Sequence, residues 1–119
     1  MATTLTLKSG TSWTDAWQRC LTVAPEAFRD DRVLNLWNAT WQADGRPLPA
    51  TSPVDGSPIA GPPRLDRATA HQAVRASLDQ HRAWRHIPLE ERRARVAATL
   101  DALTQHRDLL ALLLVWEIG

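Results

Sequence analysis

Cys20 is the only cysteine in this chain of 119 residues, and a thiol is the first group to weigh as a nucleophile. It attacks as a thiolate, which needs a neighbouring base or cation, and no histidine stands near Cys20 in the sequence. Cys20 also follows Trp17 by one helical turn, so a buried, inert thiol is the better reading. Trp13 and Trp17 would suit a stacking platform for a flat ligand, but aromatic residues spaced four apart on a helix ordinarily pack. His81 and His86 are spaced so that a helix points them in different directions, and no cysteine or carboxylate stands at zinc spacing. Gly10, Gly45, Gly56, Gly61 and Gly119 are too scattered for a dinucleotide fingerprint or a phosphate loop. Glu90-Glu91-Arg92-Arg93 with Arg95 offers a basic patch, but with acidic residues leading it reads as a helix start and a solvated face. These patterns assign no catalytic, cofactor-binding or metal-ligating residue.

The balance of charge agrees. Lys and Arg number 14 against 13 for Asp and Glu, so no broad positive field argues for nucleic acid or an anionic membrane. Hydrophobic content of 44% with 23% charged residues is that of a soluble globular fold and not of a disordered chain. A single cysteine excludes an intrachain disulfide framework and fits a reducing compartment. The start, Met1 to Leu5, has neither a basic segment nor a long apolar core, so a secretory signal is not indicated and a cytoplasmic location is expected.

The elements that would hold any site centre on the last half of the chain. Ala70, Val74, Ser77, His81 and Trp84 recur at helical spacing, and Asp66 or Thr69 supplies the N-cap oxygen. A second helix is expected from Leu89 towards Gln105 with Val96, Leu100 and Leu103 inward. A third, Leu109 to Trp116, is apolar all round and demands cover on every side. It is well short of the roughly 20 apolar residues that span a bilayer, and Asp108 and Glu117 bracket it, so it reads as a core helix of something larger.

Earlier in the chain, Leu5 and Leu7 alternate as a brief strand or a tail. Ser12 and Asp15 form the pattern of a capping box before Trp13, Trp17 and Leu21, and Pro25 limits that helix. Val33 to Trp37 and Thr40-Trp41 read as strands around an Asn38-Ala39 turn. Asp44-Gly45 turns the chain again, Leu48 to Thr51 is extended, and Ser52-Pro53-Val54-Asp55-Gly56 reverses it towards a return strand at Ile59-Ala60. Pro58, Pro62 and Pro63 confine this piece to an edge or a connector.

In order and spacing, these segments resemble the start of an aldehyde dehydrogenase. The resemblance rests on Val33 to Trp41, Ser52 to Gly56 with Ile59-Ala60, the helix ending in Trp84, Pro88-Leu89-Glu90-Glu91-Arg92, and Glu117-Ile118-Gly119. It runs from about Val33 to the last residue. Ala39 stands where that family usually has glycine, Ser52 where asparagine is common, and the lysine that usually follows Gly119 is not in the chain.

The resemblance implies an α/β fold: the amino-terminal helices and β-hairpin arm of a cofactor-binding, Rossmann-type domain, incomplete here. The chain alone would be mostly α-helical with a few short strands. Residues 1–31 would be an amino-terminal segment with one helix, and residues 32–119 the start of the cofactor-binding domain. Such enzymes oxidise an aldehyde to a carboxylic acid through a cysteine thiohemiacetal, hydride transfer to NAD or NADP, and water attack assisted by a glutamate. Those groups lie downstream of the matched region, so Cys20 and Glu117 take neither role. The expectation is therefore an amino-terminal fragment, inactive by itself, whose partners are the remainder of the same polypeptide and, in the intact parent, further copies of it, with no nucleic acid and no membrane. The later parts of the cofactor domain would cover the third helix, and the hairpin would contribute to contacts between subunits. The competing reading is a stand-alone helical module that buries its leucine-rich helix by oligomerising or by binding a partner.

Overall fold

The computed structural model describes residues 7–119. Leu5 therefore lies outside the described residues, and Leu7 to Gly10 contain no strand. The chain then forms α1 (Trp13–Val23), a short 3₁₀ turn (Pro25–Ala27), eight strands of two or three residues, and three further helices.

Helix α1 begins where the capping box places it. The Ser12 hydroxyl accepts from the Asp15 amide at 3.1 Å, and the Asp15 carboxylate accepts from the Ser12 amide at 3.3 Å, so two orphan donors of the first turn are satisfied reciprocally. At its other end Pro25 turns the chain into the 3₁₀ segment. Helix α1 packs on α4 (Arg107–Ile118), and the fully buried Ala16 provides the small side chain for their approach.

Among the described residues the strands make four separate two-stranded antiparallel ribbons and no closed sheet. The first, β1 (Phe28–Arg29) with β2 (Arg32–Val33), was not anticipated. Its turn is Asp30-Asp31 with φ of 50° and 58°, a primed turn built without glycine, which short polar side chains tolerate. In the second, β3 (Asn35–Trp37) pairs with β4 (Thr40–Gln42), as expected, with Leu36 opposite Trp41. Asn38 and Ala39 make its turn at φ of 52° and 56°. Ala39 pays a left-handed penalty there that glycine escapes. Ala39→Gly is expected to stabilise the protein by about 0.5–1 kcal/mol, after the entropy cost of glycine is set against the relieved strain; a thermal melt of the soluble protein checks it, and a lowered midpoint would contradict the turn geometry.

The last two ribbons are nested. β5 (Arg46–Pro47) pairs with β8 (Pro63–Arg64), and inside it β6 (Ala50–Thr51) pairs with β7 (Pro58–Ile59). Prolines in both limbs keep each ladder to two residue pairs, since they bring no amide hydrogen. The limbs approach so closely that a Cβ on Gly61 would collide with the Leu48 carbonyl, while one on Gly45 would come within 2.9 Å of the Arg64 carbonyl oxygen.

Helix α2 (Arg67–Trp84) is capped by Asp66, whose carboxylate accepts from the Thr69 amide at 2.7 Å, and α3 runs from Leu89 to Gln105 as expected. The burial of these helices corrects the expectation. Val96, Leu100 and Leu103, expected inward, are 53%, 58% and 50% exposed. Trp84 is half-buried, with the Arg95 guanidinium 5.8 Å from its ring centre. The third helix is longer than expected and takes in Asp108 and Glu117; of its apolar residues only Leu109 and Trp116 are buried. Periodicity identified the apolar faces, but among the described residues nothing packs over most of them. The molecule is correspondingly long, 61 × 34 × 22 Å.

Candidate functional site

A buried polar constellation lies where the Ser52–Gly56 turn meets the end of α4. The Ser52 side chain, 2% exposed, donates its hydroxyl hydrogen to the Trp116 carbonyl at 2.5 Å and accepts from the Val54 amide at 3.2 Å. One hydroxyl thus stabilises its own turn and satisfies a carbonyl of the last helical turn, which has no partner within the helix. Trp116, 3% exposed, sends its indole N–H to the Thr11 carbonyl at 2.9 Å, next to the α1 cap. Ser52 and Trp116 therefore fasten three distant segments: the start of α1, the nested ribbons and the end of α4. The turn was legible in the sequence, but its bond to a residue 64 positions away was not.

The groups weighed as chemical are kept apart. Cys20 is half-buried on α1, where burial pushes its thiol up, the charge of Arg19 opposes this in part, and the charge of Glu117 adds a smaller upward push. It therefore carries its proton at neutral pH and is not a poised nucleophile. Trp17 meets Trp13 at 5.8 Å between ring centres and Phe28 edge-on at 5.1 Å, so the tryptophan stripe is packing. His86 accepts from Arg85 Nε at 3.3 Å and His81 is exposed one turn earlier. Among the described residues no three of the histidine, cysteine, aspartate and glutamate side chains converge as metal ligands would.

On α3 the acidic and basic residues pair with one another, Glu90 with Arg93 at 3.1 Å and Glu91 with Arg95 at 2.5 Å, all with exposed side chains. Such pairs are worth little in stability and mark a solvated face. Arg92 is different, since its Nε donates to the Ile87 carbonyl at 3.1 Å and ties α3 to the turn leaving α2.

A cleft of about 550 Å³ opens between the β1–β2 turn and the nested ribbons. Its lining combines apolar residues such as Val33, Leu34, Leu48 and Ile59 with Asp30, Asp31 and Asp44, and includes no thiol, hydroxyl or imidazole. Asp44 is already engaged, accepting from Trp37 Nε1 at 2.9 Å and from Asn35 Nδ2 at 3.3 Å. This carboxylate ties β3 to the turn that begins the nested ribbons, a role the sequence reading missed. The signal was present in Asn35 and Trp37, two apart on one face of a strand, followed by an aspartate in the next turn. No helix of the described residues is long and apolar enough to cross a membrane.

Compared with known proteins, residues 40–119 match the model of the aldehyde dehydrogenase family. The match begins in β4 and takes in the nested ribbons and all three later helices. No curated protein and no solved structure matches the chain.

Proposed function

Because this chain belongs to the aldehyde dehydrogenase family, we propose that it is the amino-terminal scaffold of an NAD(P)-dependent aldehyde dehydrogenase and performs no chemistry alone. Its ribbons and helices would brace a Rossmann-type cofactor domain supplied by the remainder of the same polypeptide. In the intact parent an aldehyde would be oxidised to the carboxylic acid through a cysteine thiohemiacetal, with hydride passed to NAD or NADP. The nucleophile, the glutamate and the cofactor loop would come from residues outside this chain, and Cys20 and Glu117 would contribute to none of them. The intact enzyme would be a cytoplasmic homo-oligomer.

One observation carries this reading: the apolar rows of three successive helices lie open. Leu78 on α2, Leu100 on α3 and Leu114 on α4 are each more than half exposed, at 56%, 58% and 55%. Faces this apolar call for a covering layer, which a remaining α/β portion would supply. The competing reading, a helical module covered by other copies of itself, accounts for the same faces but not for the family match over residues 40–119.

Calorimetric titration separates the two. The 119-residue chain, kept dilute enough to stay dispersed, is expected to show no saturable heat with NAD or NADP, whereas the product of the whole reading frame binds one of them and reduces it when an aldehyde is added. Saturable binding by the 119-residue chain would overturn the scaffold reading. A whole frame that adds no cofactor binding would favour the module.

A further inference from the structure

Asp55-Gly56 sits at the exposed tip of the turn that Ser52 anchors. An Asp-Gly pair is intrinsically prone to rearrange, because a glycine has no side chain to hinder attack by its own amide nitrogen on the preceding carboxyl group. The Gly56 nitrogen bonds to Asp55 Cγ and water leaves, closing a five-membered succinimide. A second water then opens the ring at either carbonyl and returns aspartate or isoaspartate, with no oxidant and no other reactant. Steric access does not prevent this here, since nothing lies within 4 Å of the position a Gly56 Cβ would occupy.

The turn restrains both reacting groups instead. The Gly56 amide donates to the Ser52 carbonyl at 2.8 Å, so the attacking nitrogen is engaged. Asp55 Oδ1 accepts from the Ser57 amide at 2.9 Å, so the carboxyl group is engaged as well, and the Ser57 hydroxyl first and its amide second hold that carboxyl below its usual range, which disfavours the protonated form that expels water. The Ser52 amide in turn donates to the Ser57 carbonyl at 2.8 Å and closes the base of the loop. We propose that Asp55-Gly56 is a latent isoaspartate site, kept as aspartate by the Ser52–Ser57 turn and released to rearrange whenever Ser52 leaves Trp116.

The site would thus act as a chemical record of local opening at the end of α4. Rearrangement inserts an extra backbone carbon between Asp55 and Gly56, so the turn cannot close again in its original register. Two hydrogen bonds of ordinary net strength correspond to a slowing of roughly tenfold or more relative to the open chain.

The test uses the soluble product of the whole reading frame, incubated near neutral pH. Isoaspartate is counted by enzymatic carboxyl methylation and located by peptide mass spectrometry, in native protein and in the same protein unfolded in urea. The native rate at Asp55 is expected to be at least about tenfold below the unfolded rate, and Ser52→Ala to raise it while Asp55→Glu abolishes the signal at this position. Equal rates in native and unfolded protein would overturn the proposal without any variant having to fold. A folded Ser52→Ala protein that ages at the native rate would overturn the anchoring role. Neither result bears on aldehyde oxidation.

Discussion

Expressed without further residues, the 119-residue chain is expected to self-associate and to bind a hydrophobic dye strongly. A compact protein of its mass, 13.3 kDa, should expose about 6,500 Å², yet this chain exposes 9268 Å². Its radius of gyration, 17.6 Å, likewise exceeds the ~13.5 Å of a compact chain of this length. The excess is largely apolar where it matters: Val74, Leu78, Val96, Leu100, Leu103, Leu114, Val115 and Ile118 are all at least half exposed on three successive helices. Monomers seldom present contiguous apolar patches beyond a few hundred Å². Light scattering with dye fluorescence checks this on the chain alone and on the product of the whole reading frame, where both signals should fall. A monodisperse, dye-negative monomer from residues 1–119 would mean that the helices find cover among themselves by a packing different from the one described.

The second large effect belongs to Trp116. Truncation to alanine removes a side chain buried near the end of α4 and leaves the Thr11 carbonyl without its indole donor. For a buried tryptophan the cost is about 3–5 kcal/mol, much of the stability of an ordinary domain. Ser52→Ala should cost less, about 1–3 kcal/mol, because it strands one carbonyl and one amide without opening a large cavity. Denaturant melts of the soluble whole-frame protein measure both. A loss below 1 kcal/mol for Trp116→Ala would show that the junction is not where the structure closes, and a loss for Ser52→Ala that equals that for Trp116→Ala would show that the hydroxyl does more than cap.

The sequence marked the helices well because their ends are set locally. Ser12 with Asp15, Asp66 with Thr69, and Pro88 before Leu89 each fix a boundary through neighbours within four residues. The β3–β4 turn was legible for the same reason, since Asn38 tolerates a positive φ and aromatic strand residues flank it. The β1–β2 turn was hidden because Asp30-Asp31 adopts the same conformation without the usual glycine. Apolar spacing on α3 named the correct face but not its surroundings: a periodic row of leucines says what must be covered, and the cover need not belong to the same 119 residues. The Ser52–Trp116–Thr11 junction joins residues far apart in the chain, and no local pattern encodes such a meeting. The chemical groups were judged from spacing alone, since Cys20, His81 and His86 have no catalytic or ligating partner near them in the sequence.

The pairing of α1 with α4 also sets an order of events during synthesis. Helix α1 is made first, but its partner begins at Arg107, more than 80 residues after Val23. At about 5–20 residues per second, the ribosome leaves the face of α1 that packs on α4 waiting for roughly 4–17 s before α4 exists. The nascent chain therefore passes through an interval in which that face of α1 is accessible to chaperones, and a pause in translation before Arg107 would prolong it.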